Sequence, residues 1–289
     1  MATTCGPAGD ADVARIAALI GDRARARVLM TLADGRALPA SVLAAEAGVA
    51  ASTISEHLAR LLDARLLTAE RQGRARYFRL ADPLVAEALE AIARISPPEP
   101  IRSLRQGTRA HALRRARTCY NHLAGRLGVT LMAALLDRGL LAGGDGHHQP
   151  DTGGTDRLSA PGRDVTYRLT PDGHRDLAAF GLDLDGAGRQ RPAIRYCLDW
   201  SEQRHHLAGP LGAALTSRLL DLDWIRHTPQ RRAVLLTDAG SRGLCDTFGV
   251  PERWEDEARR PGDVLDLSRR SGEQQHPGVS VPGNSDGLP

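Results

Sequence analysis

Two cysteine–histidine pairs have the residue types and spacing that metal chemistry requires. Cys119 lies three positions before His122, and Cys197 precedes His205 and His206. On a helix, residues three apart share a face, so a thiolate and an imidazole would point to one side. These soft donors suit a zinc-like or thiophilic ion in tetrahedral geometry. One hypothesis is therefore a zinc-class site formed by Cys119, His122, Cys197 and His206; the sequence implies no other cofactor.

The alternative for these four residues is a structural role. Buried cysteine often packs like a small apolar side chain. His122 and His206 occupy the first position of an internal repeat, as hydrogen-bonded histidines at the start of a helix would. Both interpretations depend on how the repeat arranges the two pairs.

An internal repeat must position the two pairs. Residues 122–137 (HLAGRLGVTLMAALLD) and 206–221 (HLAGPLGAALTSRLLD) are alike at an offset of 84. Each copy precedes a strand-to-helix signal in which a threonine can cap a second helix. We predict modules at 119–182 and 183–250, each with a long amphipathic helix, a hairpin and a second helix, as in a winged helix without a recognition helix. Packing about a pseudo-twofold axis would bring the cysteine–histidine pairs together.

A second group of residues has the spacing of a helix-turn-helix. Ala44 and Gly48 suit a steep helix crossing with a glycine turn, and an apolar stripe begins at Ile54. The opposite face of the second helix is polar and can reach base edges or phosphates in a major groove, although a solvated surface face is the alternative. Because His57 lies next to the stripe, burial would remove it from this face. The predicted contacts are Ser52, Thr53, Ser55, Glu56, His57 and Arg60.

A basic hairpin follows this helix. Residues 66–70 and 76–80 alternate like strands, and the loop 71–75 between them contains a glycine. Four arginines and no acid among residues 71–79 would place positive charge beside a phosphate or a narrow minor groove. A helix-turn-helix followed by a basic wing favours duplex DNA binding over the solvated-helix alternative. The predicted wing contacts are Arg71, Arg74 and Arg76.

Residues 10–95 resemble the winged-helix domain of ArsR/SmtB-type bacterial transcriptional repressors. The resemblance rests on GDRAR (21–25), SEHLARL (55–61) and RQGRARYFRL (71–80). It implies a homodimer whose recognition helices enter successive major grooves, with the wings on the flanks. The C-terminal HLAG and LT pattern also resembles a subgroup of ArsR-like regulators, without implying a particular ligand.

In this family, the first helix and the helix after the wing pair across the dimer. The chain has an apolar stripe in each of these helices, but such stripes could equally close the core of the monomer. The stripes are Val13, Ile16, Ala17 and Ile20 in the first helix, and Leu84, Val85, Ala88, Leu89, Ile92 and Ile95 in the last.

The chain departs from the metal sites of well-known family members. The place of their cysteine pair, residues 38–43, contains no thiol. A second family site uses Asp and His on the last helix of the domain; Asp82 is present here, but residues 83–95 contain no histidine. Any signal must therefore enter elsewhere, and we place it within residues 101–250.

The length and the charge distribution of the chain allow further segments beyond the winged helix. A chain of 289 residues with 42% hydrophobic residues can form more than one core. The net charge of +3 conceals six arginines and no acid in residues 101–118, which could extend a phosphate footprint or form a solvated linker helix. The remaining predicted segments are a flexible N-terminus (1–9), a basic linker or helix (96–118) and a disordered tail (251–289) with Trp254 docked near its start.

Several other functions lack support in the sequence. The chain has no dinucleotide, P-loop, zincin or nucleophile-elbow motif, so no enzyme is predicted. Its four cysteines form no CxxC, and no apolar run approaches a membrane span, which favours a cytoplasmic protein with no membrane partner. Asp199, Glu202 and His205 are interpreted as a solvated face of a charged helix, and His147 and His148 as part of a solvated glycine-rich loop.

The predicted fold class is mainly α with small β-hairpins (α+β): an N-terminal winged helix-turn-helix followed by two repeated winged-helix-like modules. The predicted function is a sequence-specific, homodimeric DNA-binding regulator, most simply a repressor released by an unknown effector sensed in the C-terminal half. One alternative is a protein-interaction scaffold with no effector. Another is a metal- or thiol-responsive repressor that uses the cysteine–histidine pairs.

Overall fold

Local capping signals start the helices of the N-terminal domain. In the computed structural model, the side chains of Asp12, Asp22 and Asp82 each accept a hydrogen bond from a backbone N–H in the first turn of the helix that follows. Gly48, at φ 71°, ends the first helix of the helix-turn-helix in the left-handed conformation. The structure describes residues 10–73, 75–148, 165–184, 194–228 and 232–255.

Within residues 10–73 and 75–95, the N-terminal domain contains five helices and a three-stranded antiparallel sheet of order β1-β3-β2. Its core includes Leu29, Ile54, Leu61 and Phe78. The predicted helix-turn-helix and wing are therefore present. The elements are α1 (Val13–Ile20), α2 (Arg23–Leu32), β1 (Leu38–Pro39), α3 (Ala40–Ala47), α4 (Ala51–Asp63), β2 (Leu67–Gln72), β3 (Ala75–Leu80) and α5 (Pro83–Ile95).

The wing differs from its prediction in one respect. The strands continue further into the predicted loop, so that Gln72 pairs with Ala75 and Arg71 lies opposite Arg76. The turn is therefore shorter than the predicted 71–75 loop, and Gly73 has a positive φ of 61° there. Arg71, predicted to lie in the loop, consequently belongs to β2, whereas Arg76 lies in the second strand as predicted.

The C-terminal half repeats one order of elements: hairpin, helix, hairpin, helix. This order supports the predicted duplication, which stays a prediction. A second core extends through both modules and includes Leu127, Leu135, Leu219 and Phe248. The elements are α6 (Leu104–Arg115), β4 (Arg117–Cys119), β5 (His122–Ala124), α7 (Gly125–Asp137), β6 (Leu141–Ala142), β7 (Arg168–Leu169), α8 (Pro171–Ala179), β8 (Tyr196–Leu198), β9 (His205–Leu207), α9 (Gly209–Asp221), β10 (Ile225–His227), β11 (Val234–Leu236) and α10 (Asp238–Phe248).

The start of each repeat is a strand, contrary to its prediction. The HLA and HHL segments form β5 and β9, and the long helices begin only at Gly125 and Gly209. Both glycines have positive φ, 74° and 63°, and this conformation lets the chain turn from strand into helix. The apolar periodicity of the following helix concealed the preceding strand, because three residues are too few to show alternation.

The remaining predicted segments have mixed outcomes. The basic segment forms α6, and Trp254 is buried as predicted, with the Arg115 guanidinium 5.4 Å from the centre of its ring. The predicted flexible N-terminus 1–9, most of the predicted tail and most of the glycine-rich loop lie outside the described residues. None of the described helices has the length and apolarity needed to cross a membrane.

The second helix of each module approaches the preceding hairpin closely at a glycine. A Cβ at Gly173 in α8 would lie 2.0 Å from the Leu140 carbonyl oxygen. A Cβ at Gly240 in α10 would lie 2.1 Å from the Trp224 carbonyl oxygen. Neither carbonyl can move without shifting its hairpin, so both positions require glycine.

We expect the substitution Gly173→Ala to lower the free energy of unfolding by about 1–3 kcal/mol, because the added methyl overpacks a backbone contact. Denaturant titration would measure the loss. Gly107→Ala in α6 is the matched control, since its Cβ would meet only the Ile101 side chain at 3.5 Å. Equal losses in the two variants would contradict the close approach of α8.

Candidate functional site

Each cysteine–histidine pair is formed across a hairpin. Cys119 lies directly opposite His122 in the β4–β5 ladder, and Cys197 lies directly opposite His206 in the β8–β9 ladder. Residues opposite each other on antiparallel strands have neighbouring side chains. The predicted grouping of residues is therefore present, but its predicted cause, one turn of a helix, was wrong.

The two hairpins bring all four side chains to one place. The donor atoms of Cys119, His122, Cys197 and His206 lie within 4.8 Å of one another, and the two imidazole ring centres are 5.3 Å apart. Three of the residues are buried, and Cys197 is only 9% exposed. We refer to these four residues as the Cys/His cluster.

Reciprocal packing between the modules creates the cluster. A Cβ at Gly128 in α7 would lie 3.6 Å from the His206 Cβ, and a Cβ at Gly212 in α9 would lie 3.1 Å from the His122 Cβ. Each hairpin therefore packs on the long helix of the other module, as a pseudo-twofold arrangement requires. The Leu123 N–H also donates to Thr216 Oγ1 of α9 at 2.8 Å.

The cluster fits a tetrahedral ion. Ligand atoms in a zinc site lie about 3.3–3.8 Å apart, because zinc–nitrogen and zinc–sulfur bonds are about 2.0–2.3 Å long. A contraction of about 1 Å would bring the donor atoms here into that range. The Nε2 atoms of His122 and His206 are buried and have no hydrogen-bond partner in the part of the chain that the structure describes. An ion would satisfy both nitrogens, and their burial is otherwise costly.

The Cys119 thiol is poorly suited to thiolate redox chemistry. The side-chain hydrogen bond with Cys197, together with burial and the nearby Glu90 carboxylate, raises the pKa of Cys119 to about 12. The Cys119 thiol is therefore protonated and neutral near pH 7 in the absence of an ion. Reactive cysteines instead have lowered pKa values and exposed sulfur atoms.

A buried carboxylate, Asp199, lies beside the cluster. Its Oδ2 accepts hydrogen bonds from Arg117 Nη2 at 2.8 Å and the Gly125 N–H at 2.7 Å, and lies 3.5 Å from His206 Nδ1. Its Oδ1 accepts from the Ser201 hydroxyl at 2.8 Å. Burial alone would raise the pKa of Asp199, but Arg117, His206 and these hydrogen bonds outweigh it and hold the pKa far below its usual range. Asp199 is thus ionised and oriented toward the cluster.

The interpretation of Asp199, Glu202 and His205 as a solvated helix face was wrong. Asp199 and His205 are buried, and they lie at the two ends of the hairpin loop between β8 and β9. The Tyr167 hydroxyl hydrogen-bonds His205 Nδ1 at 2.7 Å. The prediction assigned this charged segment to a solvated helix. In the structure, the Asp199 carboxylate is neutralised by Arg117, which is distant in the sequence.

The charge network continues into the DNA-binding domain. Glu90 of α5 is buried and forms ion pairs with Arg232 and, at 3.9 Å, with Arg117. Arg94, one turn further along α5, donates to the Leu198 carbonyl oxygen of β8 at 3.2 Å. Sequence reasoning missed this network. Its one local signal was Arg117, which lies two residues before Cys119 and therefore on the same face of β4.

The polar face of α4 is arranged largely as predicted. Ile54, Leu58 and Leu61 are buried, whereas Ser52, Thr53, Ser55, Glu56 and Arg60 are exposed. Arg60 lies 3.9 Å from Glu56 in an exposed pair one turn apart. Five of the six predicted helix contacts therefore lie on an open face.

His57 differs from the other predicted contacts of α4. Its side chain is 13% exposed, and its Nδ1 lies 3.5 Å from Arg25 Nη1 and 3.9 Å from Asp22 Oδ1. Arg25 also donates to the backbone carbonyls of Ala18 and Leu19. His57 thus faces the junction between α1 and α2.

The wing presents a cationic surface next to α4. The Arg76 guanidinium lies over the Phe78 ring, 5.2 Å from its centre, and this cation–π contact stabilises its position. Arg71 is exposed on the opposite strand, and Arg79 is partly neutralised by Glu70 at 4.0 Å. Arg74 lies outside the described residues.

Comparison with known proteins agrees with this architecture. Residues 20–70 match the family described as a helix-turn-helix domain. The chain is 36% identical over 230 residues to the HTH-type transcriptional regulator YdfF of Bacillus subtilis (strain 168), covering 79% of this chain and 93% of that protein. It is 35% identical over 83 residues to the HTH-type transcriptional regulator CmtR of Mycobacterium tuberculosis (strain ATCC 25618 / H37Rv), covering 29% of this chain and 70% of that protein.

A solved structure is similar to part of the chain. The homodimeric winged helix-turn-helix DNA-binding domain of Mb0332 from Mycobacterium bovis, described as a possible ArsR-family regulator, is 28% identical. It covers 30% of this chain and 86% of that domain, with a TM-score of 0.26. From the matches to the helix-turn-helix family and to the two regulators, the chain belongs to the HTH-type, DNA-binding transcriptional regulators.

Proposed function

We propose that this regulator responds to a soft divalent metal ion of the zinc class, bound by the Cys/His cluster. The observation that carries the proposal is the convergence of four donor atoms from two hairpins within 4.8 Å. When bound, the ion would cross-link the two modules by replacing thiol protons and filling the unpartnered imidazole nitrogens. The protein supplies the donors, the buried surroundings and the Asp199 carboxylate, which lies 3.5 Å from His206 Nδ1.

Two features favour a metal over the alternatives. A purely structural cluster would pair its buried imidazole nitrogens, yet both Nε2 atoms lack a partner among the described residues. A redox sensor would expose a low-pKa thiol, whereas the pKa of Cys119 is raised to about 12. Asp199 beside His206 resembles the carboxylate–histidine arrangement that orients metal-binding imidazoles.

We infer that the DNA interface consists of the open face of α4 and the wing. Its residues are Ser52, Thr53, Ser55, Glu56, Arg60, Arg71, Arg74 and Arg76. His57 acts from behind this face, where it orients the α1–α2 junction through Arg25 and Asp22. Short polar side chains at the start of α4 suit base edges and phosphates, and the arginines of the wing suit the flanking backbone.

We further propose that the protein acts as a homodimeric repressor in the cytoplasm. Val13 of α1 and Leu84 and Ile95 of α5 are 70%, 63% and 77% exposed. These two stripes close the monomer core only in part, which leaves apolar surface for a second copy. Metal binding would act on α5 through the contacts of Glu90 and Arg94 with the hairpins.

The test is selection of genomic DNA fragments by the purified full-length protein, with added Zn(II), with added Cd(II) and with a chelator. We expect an inverted repeat whose half-sites are about 34 Å apart, one helical turn, as a symmetric dimer requires. Either metal should lower the recovery of this sequence. Equal recovery under all three conditions would contradict metal control. Failure to enrich any fragment would instead favour the protein-interaction alternative.

The wing assignment predicts a change in salt dependence. We expect replacement of Arg74 and Arg76 by alanine to weaken binding to all duplex sequences and to flatten the slope of log affinity against log salt by about 0.9 per lost phosphate contact. Fluorescence anisotropy with labelled duplex would measure the slope. Alanine at Arg168 and Arg242, which are exposed on β7 and α10, is the charge-matched control. An unchanged slope in the wing variant would refute the assignment.

A further inference from the structure

We propose that α6 is a second DNA-contacting element, whose exposed arginines bind the phosphate backbone beside the helix-turn-helix. This surface lies outside the Cys/His cluster, and its contact with DNA does not depend on metal control. Its occupant is the sugar-phosphate backbone of duplex DNA, contacted without regard to base sequence. The arginines concerned are Arg102, Arg105 and Arg109.

The composition of α6 is that of a surface helix with one sign of charge. Ser103 caps the start of the helix, where its hydroxyl accepts from the Gln106 N–H at 3.2 Å, and residues 104–115 of the helix include no buried residue. Residues 101–115 include five arginines and no acid. Core packing therefore does not explain this sequence, and the accumulated positive charge requires a counter-charge from elsewhere.

The arginines are distributed over different sides of α6. Arg105 and Arg109 are four residues apart and share a side, and Arg102 precedes the first turn near that side. Arg114 follows Arg109 by five residues, which places it about 140° further around the helix. Arg102, Arg105, Arg109 and Arg114 are all exposed. Substitutions on the side with three arginines can thus be compared with a substitution on the side with Arg114.

Contacts with the N-terminal domain place this side next to the DNA-binding helices. Arg109 Nη1 lies 3.1 Å from Glu46 Oε2, in the last turn of α3. The turn at Gly48 and the start of α4 at Ala51 follow immediately. An ion pair between Arg23 and Glu99 also holds the segment before α6 against the start of α2. The basic side of α6 therefore continues the surface of the helix-turn-helix.

The arginines at the two ends of α6 have different surroundings. Arg115 pairs with Glu255 and lies over Trp254 at the C-terminal end. By contrast, no acidic side chain among the described residues pairs with Arg102 or Arg105. Because Arg109, one turn after Arg105 on α6, pairs with Glu46 of α3 in a DNA-binding protein, phosphate is the counter-charge that complements Arg102 and Arg105.

The experiment compares the full-length double variant Arg102→Ala/Arg105→Ala with the charge-matched control Arg114→Ala/Arg242→Ala. Binding to a labelled mixed-sequence duplex is followed by fluorescence anisotropy over a range of salt concentrations. Each phosphate contact contributes about −0.9 to the slope, which amounts to about eightfold in affinity at about 0.1 M salt. We expect the α6 variant to flatten the slope by about 1.8 and to lose about 60-fold in affinity, with little change in the control.

Equal slopes for the α6 variant and the control would overturn the proposal and would point to a partner other than DNA on this helix. A wild-type slope near zero would also overturn it. A circular dichroism spectrum for each variant shows whether the fold is retained. If the double variant fails to fold, the conservative variant Arg102→Gln/Arg105→Gln removes the same charges and decides the question by the same slope.

Discussion

Replacing Cys119 and Cys197 by serine is expected to abolish stoichiometric metal binding. The wild-type chain, loaded with Zn(II) and then dialysed, should retain about one ion, as a closed four-ligand site does. Serine oxygen is a poor ligand for a soft ion, so the variant loses two of four donors. Changes in residues that merely orient ligands typically cost about 10–100-fold in metal affinity, and loss of two ligands should cost more.

Elemental analysis and competition with a chromophoric chelator would measure the stoichiometry and the affinity. Cys245→Ser is the matched control, because Cys245 lies in α10 and does not belong to the cluster. We expect this control to retain its ion. Retention of a full equivalent by the Cys119/Cys197 variant would exclude the cluster as the site. A metal-free wild type would exclude the proposed function but would leave the DNA-binding role of α6 open.

The buried ion pairs give the second large effect. Replacing Arg117 by methionine removes the cation that Asp199 and Glu90 share, although both carboxylates are buried. Leaving a buried charge without its partner typically costs about 3–5 kcal/mol in the free energy of unfolding. Methionine approximates the volume of the arginine stem, so the loss reports charge more than cavity formation.

Denaturant unfolding of metal-free protein would measure this loss. The control is Arg175→Ala, which breaks the exposed pairs with Asp172 and Asp176, and for it we expect no measurable change. Adding Asp199→Asn to the Arg117 variant should recover part of the loss, because it removes the buried carboxylate charge that Arg117 had paired, whereas Glu90 keeps its ion pair with Arg232. Wild-type stability in the Arg117 variant would show that water reaches this network.

The network connects the cluster to the DNA-binding domain. Arg117 belongs to β4, two residues from Cys119, and Asp199 follows β8, two residues from Cys197. Both connect to Glu90 of α5 through buried charges. A contraction of the hairpins around an ion would therefore move the partners of α5, which the family resemblance assigns to the dimer.

The sequence by itself determined the features that depend on near neighbours. The capping aspartates, the glycine turn, the apolar stripe of α4 and the alternation of the wing act within a few residues, and the structure has all of them. Residue type also selected Cys119, His122, Cys197 and His206, because thiol and imidazole have few competing roles at such spacing. These local rules were sufficient to predict the family and the open polar face of α4 that we propose as the DNA interface.

Only the tertiary structure decided how these groups meet. The cysteine–histidine pairs face each other across strands that are too short to show a period, and the cluster forms because each hairpin packs on the helix of the other module. Asp199 resembled a solvated acid in the sequence, since its partner Arg117 lies 82 positions away. Burial and charge pairing depend on contacts between distant segments, and a pattern of neighbouring residues does not indicate which distant segments make contact.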